Sequence, residues 1–317
     1  MTSSRRASAF AIALGGVLLT GLAAVSTPGG TSAPAGARSA SASVVPAVAA
    51  ARVAARRPEL PQGGRRIYPG HLLVAYYGTA TTPTMGVLGE DTPDRITERL
   101  REAAAPFARD RWKVQVVYEL IVTIADRDAG TDGDYSHDIA REHVERYLRA
   151  ARRNKALLVL DLQPGRSGFL EVAKRWQWAL ERPWVGLALD PEWRMDAGQV
   201  PAETIGQVSA AEVNRVSGWL ARIARRNDHP QKLLLLHQFR RDMVLDIEDV
   251  VPRKRLAVVQ HVDGFGSQSQ KLSTYGTVAQ PEQFTMGFKL FYDEDTDLMT
   301  PVEVLRLRPR VRFVSYQ

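Results

Sequence analysis

Eight short apolar runs recur between residue 72 and residue 317, and their number and spacing constrain the fold more than any other feature. They are LLVAYYG (72–78), VQVVYELIVTIA (114–125), ALLVLDLQPG (156–165), WVGLALD (184–190), KLLLLHQF (232–239), LAVVQHVDGFG (256–266), FTMGFKLFYDED (284–295) and VRFVSYQ (311–317). The runs are continuous in apolar residues rather than alternating, as expected of strands that are covered on both faces. They predict eight buried β-strands.

Amphipathic stretches lie between the runs and predict helices. One opens at Thr92, others cover residues 136–154 and 167–181, and a fourth opens on Ser209, where Glu212 three residues later predicts a capping box. Eight strands with intervening helices in about 250 residues predict a single α/β domain, a (β/α)8 barrel. An open doubly wound sheet is the alternative, because periodicity does not separate the two. No glycine-rich phosphate-binding motif follows any run, which disfavours the nucleotide-binding folds.

The N-terminal residues have the pattern of a secretory leader. Arg5 and Arg6 precede an uncharged apolar stretch over residues 10–24, and small residues follow, which predicts a signal peptide over residues 1–37. The apolar stretch is shorter than the roughly 20 residues of a membrane span, so no stable span is expected after cleavage. Residues 38–66, rich in Ala, Ser and Arg, predict a disordered linker, and residues 67–317 the barrel. The protein is expected to be secreted or associated with the cell envelope.

The basic charge belongs to the leader and linker rather than to the barrel. The formal net charge is +7, and residues 1–66 contain eight arginines and a single acid, so residues 67–317 are neutral overall. The charge therefore does not indicate nucleic acid as a partner. The sequence has no cysteine, so stability must come from a core rather than from disulfides.

No helical pattern follows the eighth run, and the segment before Tyr68 is expected to cover the place of an eighth helix.

Polar residues stand late in most of the runs, where a barrel of this kind carries its active site. A single such acid often caps the next helix, but recurrence over nearly all the strands favours a shared polar cavity. The candidates for substrate binding are Tyr76, Tyr77, Glu119, Asp161, Gln163, Trp193, His237, Gln238, Asp263 and Lys289.

The fourth run ends on two carboxylates, Asp190 and Glu192. Side chains two apart on a strand share one face, roughly 6.6 Å apart, here in line with the small residues Gly186 and Ala188. Mutual repulsion raises the pKa of one acid, so that one can donate a proton while the other stays charged, as glycoside hydrolysis requires. Glu192 is predicted to be the general acid and Asp190 the ionised partner. The alternative is that Glu192, after Pro191, has left the strand and caps the next segment.

A third acid is the candidate for a nucleophile or base. Asp293 stands late in the seventh run, on the opposite side of the predicted barrel from Glu192. It is the predicted nucleophile or base.

The run from Val185 to Glu192 resembles the fourth-strand DGxDxDxE motif of the chitinase-like (family 18) glycoside hydrolases. Gly186, Asp190 and Glu192 match, whereas Val185 and Ala188 stand where the family has its other two aspartates. The resemblance implies that Glu192 protonates the glycosidic oxygen and that Asp190 positions an acetamido group of the substrate. Through LDLQPG, LDPEW, DGFG and GFKLFYDED, the domain also resembles uncharacterised exported barrel proteins of high-GC Gram-positive bacteria.

Other chemistries have less support in the sequence. His237, His261, Asp161, Asp190 and Asp263 could bind a metal, but neither an HxH in the first strand nor an HExxH is present, so no metal is expected. Lys289 is expected to pair with an acid rather than to form a Schiff base. Phe265, Phe291 and Tyr292 join Tyr76, Tyr77 and Trp193 as aromatic residues that either stack on sugar rings or pack at the rim. No cofactor is predicted.

The sequence therefore predicts an exported barrel that resembles a glycoside hydrolase, with a polysaccharide or oligosaccharide as ligand. The alternative is a non-catalytic carbohydrate-binding or cell-envelope protein on the same scaffold, because fold alone does not choose between them. The glycan and the oligomeric state are not predicted.

Overall fold

The computed structural model describes residues 57–317, and eight parallel strands form a closed barrel within them. The strands are β1 (His71–Gly78), β2 (Lys113–Ala125), β3 (Leu157–Leu162), β4 (Val185–Leu189), β5 (Lys232–Gln238), β6 (Leu256–Val262), β7 (Thr285–Leu290) and β8 (Val311–Tyr316). Each pairs with its neighbours in chain order, and β1 pairs with both β2 and β8. This closure confirms the predicted barrel and excludes the open sheet. The predicted signal peptide lies outside the described residues.

Seven helices accompany the strands. They are α1 (Pro93–Ala104), α2 (Arg141–Asn154), α3 (Phe169–Arg175), α4 (Gln177–Leu180), α5 (Ala210–Arg226), α6 (Gln268–Val278) and α7 (Pro301–Arg306). The second begins later than predicted, because Ser136–Asp138 instead forms a short antiparallel strand beside β2. Within residues 57–317, none of the helices has the length and apolar character needed to cross a bilayer.

Only one of the two hydrogen bonds of the capping box predicted for α5 is present. The Ser209 hydroxyl accepts a hydrogen bond from the backbone N–H of Glu212 at 3.3 Å. The Glu212 carboxylate does not return to Ser209 but accepts one from the backbone N–H of Phe169 at 2.8 Å. Glu212 thus ties the start of α3 to the start of α5, a tertiary contact that local sequence does not encode.

Each strand buries both of its faces, which explains why the runs are continuously apolar. Leu72 and Val74 of β1 face outward into the core shared with the helices. Leu73 and Ala75 face inward, with Val259 and Phe313, into a second core that fills the barrel. Successive side chains of a strand alternate between these two cores.

The segment that enters the barrel closes its amino-terminal end, which corrects two predictions for this region. Leu60 and Ile67 are 5% and 1% exposed and pack against the inward-facing core. Arg65 donates to the backbone carbonyls of Asp228 and His229, just before β5 begins. Residues 57–66 therefore contact the barrel rather than forming a free linker, and this segment plugs the end of the barrel instead of replacing an eighth helix on its outside. The physical reason is that the inner core needs an apolar cover where the strands begin.

Candidate functional site

Polar side chains replace the apolar inner core at the carboxyl end of the barrel. They follow the same inward alternation, so that Tyr77 stands above Ala75 on β1 and His237 above Leu235 on β5. No member of this group is more than 7% exposed. We call the group the mouth cluster; its members are Tyr77, Glu119, Asp161, Asp190, His237, Asp263 and Lys289.

His237 is held between two carboxylates. Its Nδ1 lies 2.7 Å from Oδ2 of Asp263, and its Nε2 lies 3.0 Å from Oε1 of Glu119. A carboxylate only accepts hydrogen bonds, so both ring nitrogens must donate and the ring is an imidazolium. Burial alone would lower the pKa of His237, but the Asp263 charge and the two hydrogen bonds outweigh burial and raise it well above its ordinary value.

Lys289 provides the second cation of the cluster. Its Nζ lies 3.3 Å from the centre of the Tyr77 ring and 5.1 Å from that of Phe291, a cation–π geometry. The Tyr77 hydroxyl accepts a hydrogen bond from Nε2 of Gln163 at 3.3 Å, while Oε1 of Gln163 accepts one from the backbone N–H of Ala125. Gln163 therefore fixes the ring on which the ammonium group rests.

Several buried oxygens of the cluster have no hydrogen-bond partner among the described residues. They are Oε2 of Glu119, both carboxyl oxygens of Asp161, Oδ1 of Asp190 and Oδ1 of Asp263. Burying a polar group without a partner costs free energy, and a cluster of such groups is retained where function needs it. These oxygens point to a site that receives hydroxyl or amino groups from a ligand.

Burial and mutual repulsion control protonation in the cluster. Burial, with the charges of Asp161 and Glu192, raises the pKa of Asp190 well above its usual range, and burial also raises that of Asp161. Burial would raise the pKa of Asp263 as well, but the positive charge and hydrogen bond of His237 lower it below its ordinary value. Asp263 is thus the acid whose charged form is stabilised. Asp190 has no cationic hydrogen-bond partner among the described residues, and the rise in its pKa gives no support to the prediction that it stays ionised.

Glu192 lies at the edge of the cluster and is more exposed than its members. It stands on a 3-10 turn, Pro191–Trp193, and not on β4, so the argument from two residues on one strand face does not hold. Among the described residues its carboxylate caps no helix. Burial, followed by the nearby charge of Asp263, raises the pKa of Glu192 to about 7. Its predicted protonated form is thus supported, although the neighbouring charge is that of Asp263 and not of Asp190.

A close backbone approach supports the Glu192 turn. The backbone N–H of Gly206 donates to the carbonyl of Glu192 at 2.7 Å. A Cβ added to Gly206 would lie only 2.4 Å from the carbonyl oxygen of Arg194 and 2.6 Å from that of Pro191. Only glycine fits at this position.

Three predicted site residues lie away from the cluster. Tyr76 faces outward, and its hydroxyl donates to the backbone carbonyl of Arg99. Gln238 also faces outward, and its amide donates to the carbonyls of Arg240 and Arg241 in the following connection. Asp293 lies exposed in the turn after β7, and no described hydrogen bond joins it to the cluster. This exposed position gives no support to its predicted role as nucleophile or base.

Trp193 is half-buried beside Glu192. In the turn after β7, burial raises the pKa of Glu294, while the positive charge of Lys289 acts to lower it. Glu294 therefore lies within reach of the charge of Lys289, although it was not among the predicted site residues.

His261, which the sequence suggested only as a metal ligand, and Ser315, which it did not suggest, lie beneath the cluster. The ring of His261 stacks on that of His237, with centroids 4.9 Å apart, and its Nε2 lies 2.9 Å from Oγ of Ser315. Burial and the charge of His237 lower the pKa of His261 well below its ordinary value, so the ring is neutral. His261 is two residues before Asp263, so both side chains lie on the same inward face of the barrel.

One set of side chains has the spacing to hold a metal ion. Asp190, His237 and Asp263 each offer an atom within 4.8 Å of the others. However, both ring nitrogens of His237 already face carboxylate oxygens, so the imidazole would have to lose a proton and break a hydrogen bond to become a ligand. The observed geometry suits an imidazolium rather than a metal ligand.

Comparison with known proteins adds little to this geometry. No protein-family model matches the sequence, and neither does any curated protein. A solved structure of a trimodular endoglucanase of the GH5_4 subfamily is similar with 12% sequence identity and a TM-score of 0.41, over 78% of this chain. This chain spans 55% of the length of that chain. A similarity this weak says nothing about the activity of this protein. The barrel fold is established by the pairing of its strands.

Proposed function

We propose that this barrel is a glycoside hydrolase in which Glu192 is the general acid and Asp263 the ionised partner carboxylate. The observation that supports it is the convergence of five carboxyl groups on two cations at the barrel mouth, with Glu192 the most accessible of the acids. Two carboxyl groups with pKa values driven apart are the requirement for acid-assisted cleavage of a glycosidic bond.

The two acids differ for a physical reason. Asp263 is hydrogen-bonded to the imidazolium of His237, which stabilises its charge. Glu192 has no such partner in the described residues and lies near the negative charge of Asp263. A protonated Glu192 would donate its proton to the glycosidic oxygen as the bond breaks. Asp263 would stabilise the positive charge that develops on the sugar ring. A water molecule would then add to the anomeric carbon and give its proton to the Glu192 carboxylate, which restores the acid.

The charge balance of the site is consistent with this division of roles. When Asp161, Asp190 and Glu192 hold protons, the carboxylates of Glu119 and Asp263 balance the charges of His237 and Lys289. The raised pKa values of the first three acids favour this state.

The experiment that tests the proposal is a screen of the purified protein for release of reducing sugar from a polysaccharide panel. We expect Glu192→Gln to lower turnover by on the order of 10² or more with binding nearly intact, as for loss of general acid catalysis. Asp293→Asn is the matched control, since it removes an exposed acid of a mouth loop without touching the cluster. Equal turnover in wild type and Glu192→Gln would contradict the proposal.

The alternative of a non-catalytic carbohydrate-binding protein is favoured by one observation, the nearly complete burial of Asp161 and Asp190. Retention of a glycan without any bond cleavage would select it. In either case we propose that the glycan is met outside the cell, because residues 1–37 have the pattern of a signal peptide. Detection of the protein only inside cells, by immunoblotting of culture fractions, would contradict this.

A further inference from the structure

We propose that Phe265 is an aromatic platform for a pyranose ring of the glycan, held beside the mouth cluster by a buried ion pair between Lys271 and Asp295. The inference rests on the proposed function and deepens it, because it names where the substrate is held and by which of its faces. Phe265 stands two residues after Asp263, on the loop that joins β6 to α6.

The ion pair joins the loop that carries Asp263 to the end of β7, which carries Lys289, and to the turn that follows β7. Nζ of Lys271 lies 3.0 Å from Oδ1 of Asp295 and donates to the carbonyls of Gly264 and Lys289 at 2.8 and 2.9 Å. All three of its hydrogen-bonding positions are therefore used.

Asp295 completes the arrangement from the other side. Its carboxylate accepts from the backbone N–H of Gly266 at 3.1 Å and from that of Phe291 at 3.0 Å. Phe265 thus lies between two glycines whose backbones are both bound to the same ion pair. Its position on the surface is set by buried contacts and not by its own side chain.

The ring of Phe265 nevertheless remains 64% exposed. A single exposed phenylalanine is common on protein surfaces, so exposure alone assigns no role. Here the ring packs edge to face on Phe291 at a centroid distance of 5.7 Å, and Phe291 in turn contacts the ammonium group of Lys289. The exposed ring is therefore continuous with the mouth cluster.

The chemistry of this surface defines a substrate class. A pyranose with equatorial hydroxyl groups presents a flat face of axial C–H bonds, which matches an exposed aromatic ring, while its hydroxyl groups can donate to the unpartnered oxygens of the cluster. Glucose-type and xylose-type rings have this shape. We therefore assign the platform to a glycan built from such rings.

The test measures binding separately from cleavage. Hydroxyethyl cellulose, glycol chitin and xylan serve as probes in affinity electrophoresis, with the Glu192→Gln protein as background so that the probe is not consumed. Phe265→Ala should weaken retardation by a bound polysaccharide on the order of tenfold or more, the effect of losing a buried aromatic contact. Phe265→Tyr should restore it. Val251→Ala, which alters an apolar residue 47% exposed in the connection leading into β6, is the control and should leave binding unchanged.

The outcomes separate the two proposals. If the Glu192→Gln protein is retarded equally with and without Phe265→Ala, the proposal that Phe265 is a platform is wrong. This result leaves the proposed hydrolase function untouched, whatever the activity of the wild type. Phe265-dependent binding without any hydrolysis supports the platform and overturns the catalytic role of Glu192. If none of the three polysaccharides is bound or cleaved, both proposals fail.

Discussion

At the scale of single residues, the site is controlled by which carboxyl group has a cationic hydrogen-bond partner. Asp263 has one in His237, so its pKa is lowered, whereas Asp190 and Glu192 have none among the described residues and their pKa values are raised. The pKa values of acids of similar intrinsic strength are thereby moved in opposite directions, down for Asp263 and up for Asp190 and Glu192. This difference is what an acid and a base in one catalytic site require.

The pH dependence of Glu192 follows from this arrangement. A general acid works only while protonated, so kcat/KM should fall as the pH rises through about 7, the value to which burial and Asp263 raise the Glu192 pKa. In Asp263→Asn the neighbouring charge is gone, and the Glu192 pKa should move down. Carbon NMR titration of the side-chain carboxyl, assigned by its absence in Glu192→Gln, measures this without relying on activity.

Asp293→Asn is the control for the titration and should leave the Glu192 pKa in place. A Glu192 carboxyl that titrates at the same pH with and without the Asp263 charge would show that the two acids do not interact. The assignment of Asp263 as partner carboxylate would then be wrong.

At the scale of elements, the loops after β6 and β7 behave as one unit because Lys271 of α6 contacts both. Lys271 is almost completely buried, and its partner Asp295 also holds two backbone N–H groups. A buried ion pair adds little net stability compared with apolar packing, but removing one partner leaves an uncompensated charge. The ion pair holds the loops after β6 and β7 in a defined position relative to each other.

We therefore expect Lys271→Met to lower the free energy of unfolding by about 3–5 kcal/mol, since Asp295 would be left buried without its cation. Urea unfolding monitored by circular dichroism measures the change as a shift in midpoint. Lys254→Met, at an exposed lysine, should change the free energy by no more than about 0.5 kcal/mol. A loss in Lys271→Met as small as that of the control would show that the pair does not hold the loops.

At the scale of the whole molecule, the barrel has a polar end and a sealed apolar end. Leu60 and Ile67 close the end where the strands begin. Arg65, in the same segment, donates hydrogen bonds to the backbone carbonyls of Asp228 and His229. Water is thereby kept from the inner core on one side, so the mouth cluster is the polar end of the barrel interior.

Leu60→Ala should therefore destabilise the protein by about 2–5 kcal/mol, the range for a buried leucine that leaves a cavity. Leu245→Ala is the matched control, because Leu245 is 41% exposed and its truncation should cost about 0.5 kcal/mol or less. Thermal and urea unfolding of the two variants measure the difference. Equal effects would show that residues 57–66 are a linker after all.

The sequence by itself determined the eight strands and their order along the chain, because continuous apolar runs separated by amphipathic stretches are local patterns. It predicted the barrel, but only the pairing of β1 with β8 excluded the open sheet. It also placed polar groups at the strand ends, since strand direction puts all of these ends on one side of the barrel. It did not determine which of two adjacent polar residues faces inward, as between Tyr76 and Tyr77 or between His237 and Gln238. A run that is apolar on both faces carries no alternation from which to read this.

Only the tertiary structure decided which acids lie close enough to interact and which cation each of them contacts. His237 lies far along the chain from Glu119, and Asp263 comes from yet another strand, so their pairing exists only once the barrel has closed. The same holds for the 3-10 turn that carries Glu192 and for the exposed position of Asp293. Protonation depends on burial and on neighbouring charges, and both are properties of the folded barrel rather than of the local sequence.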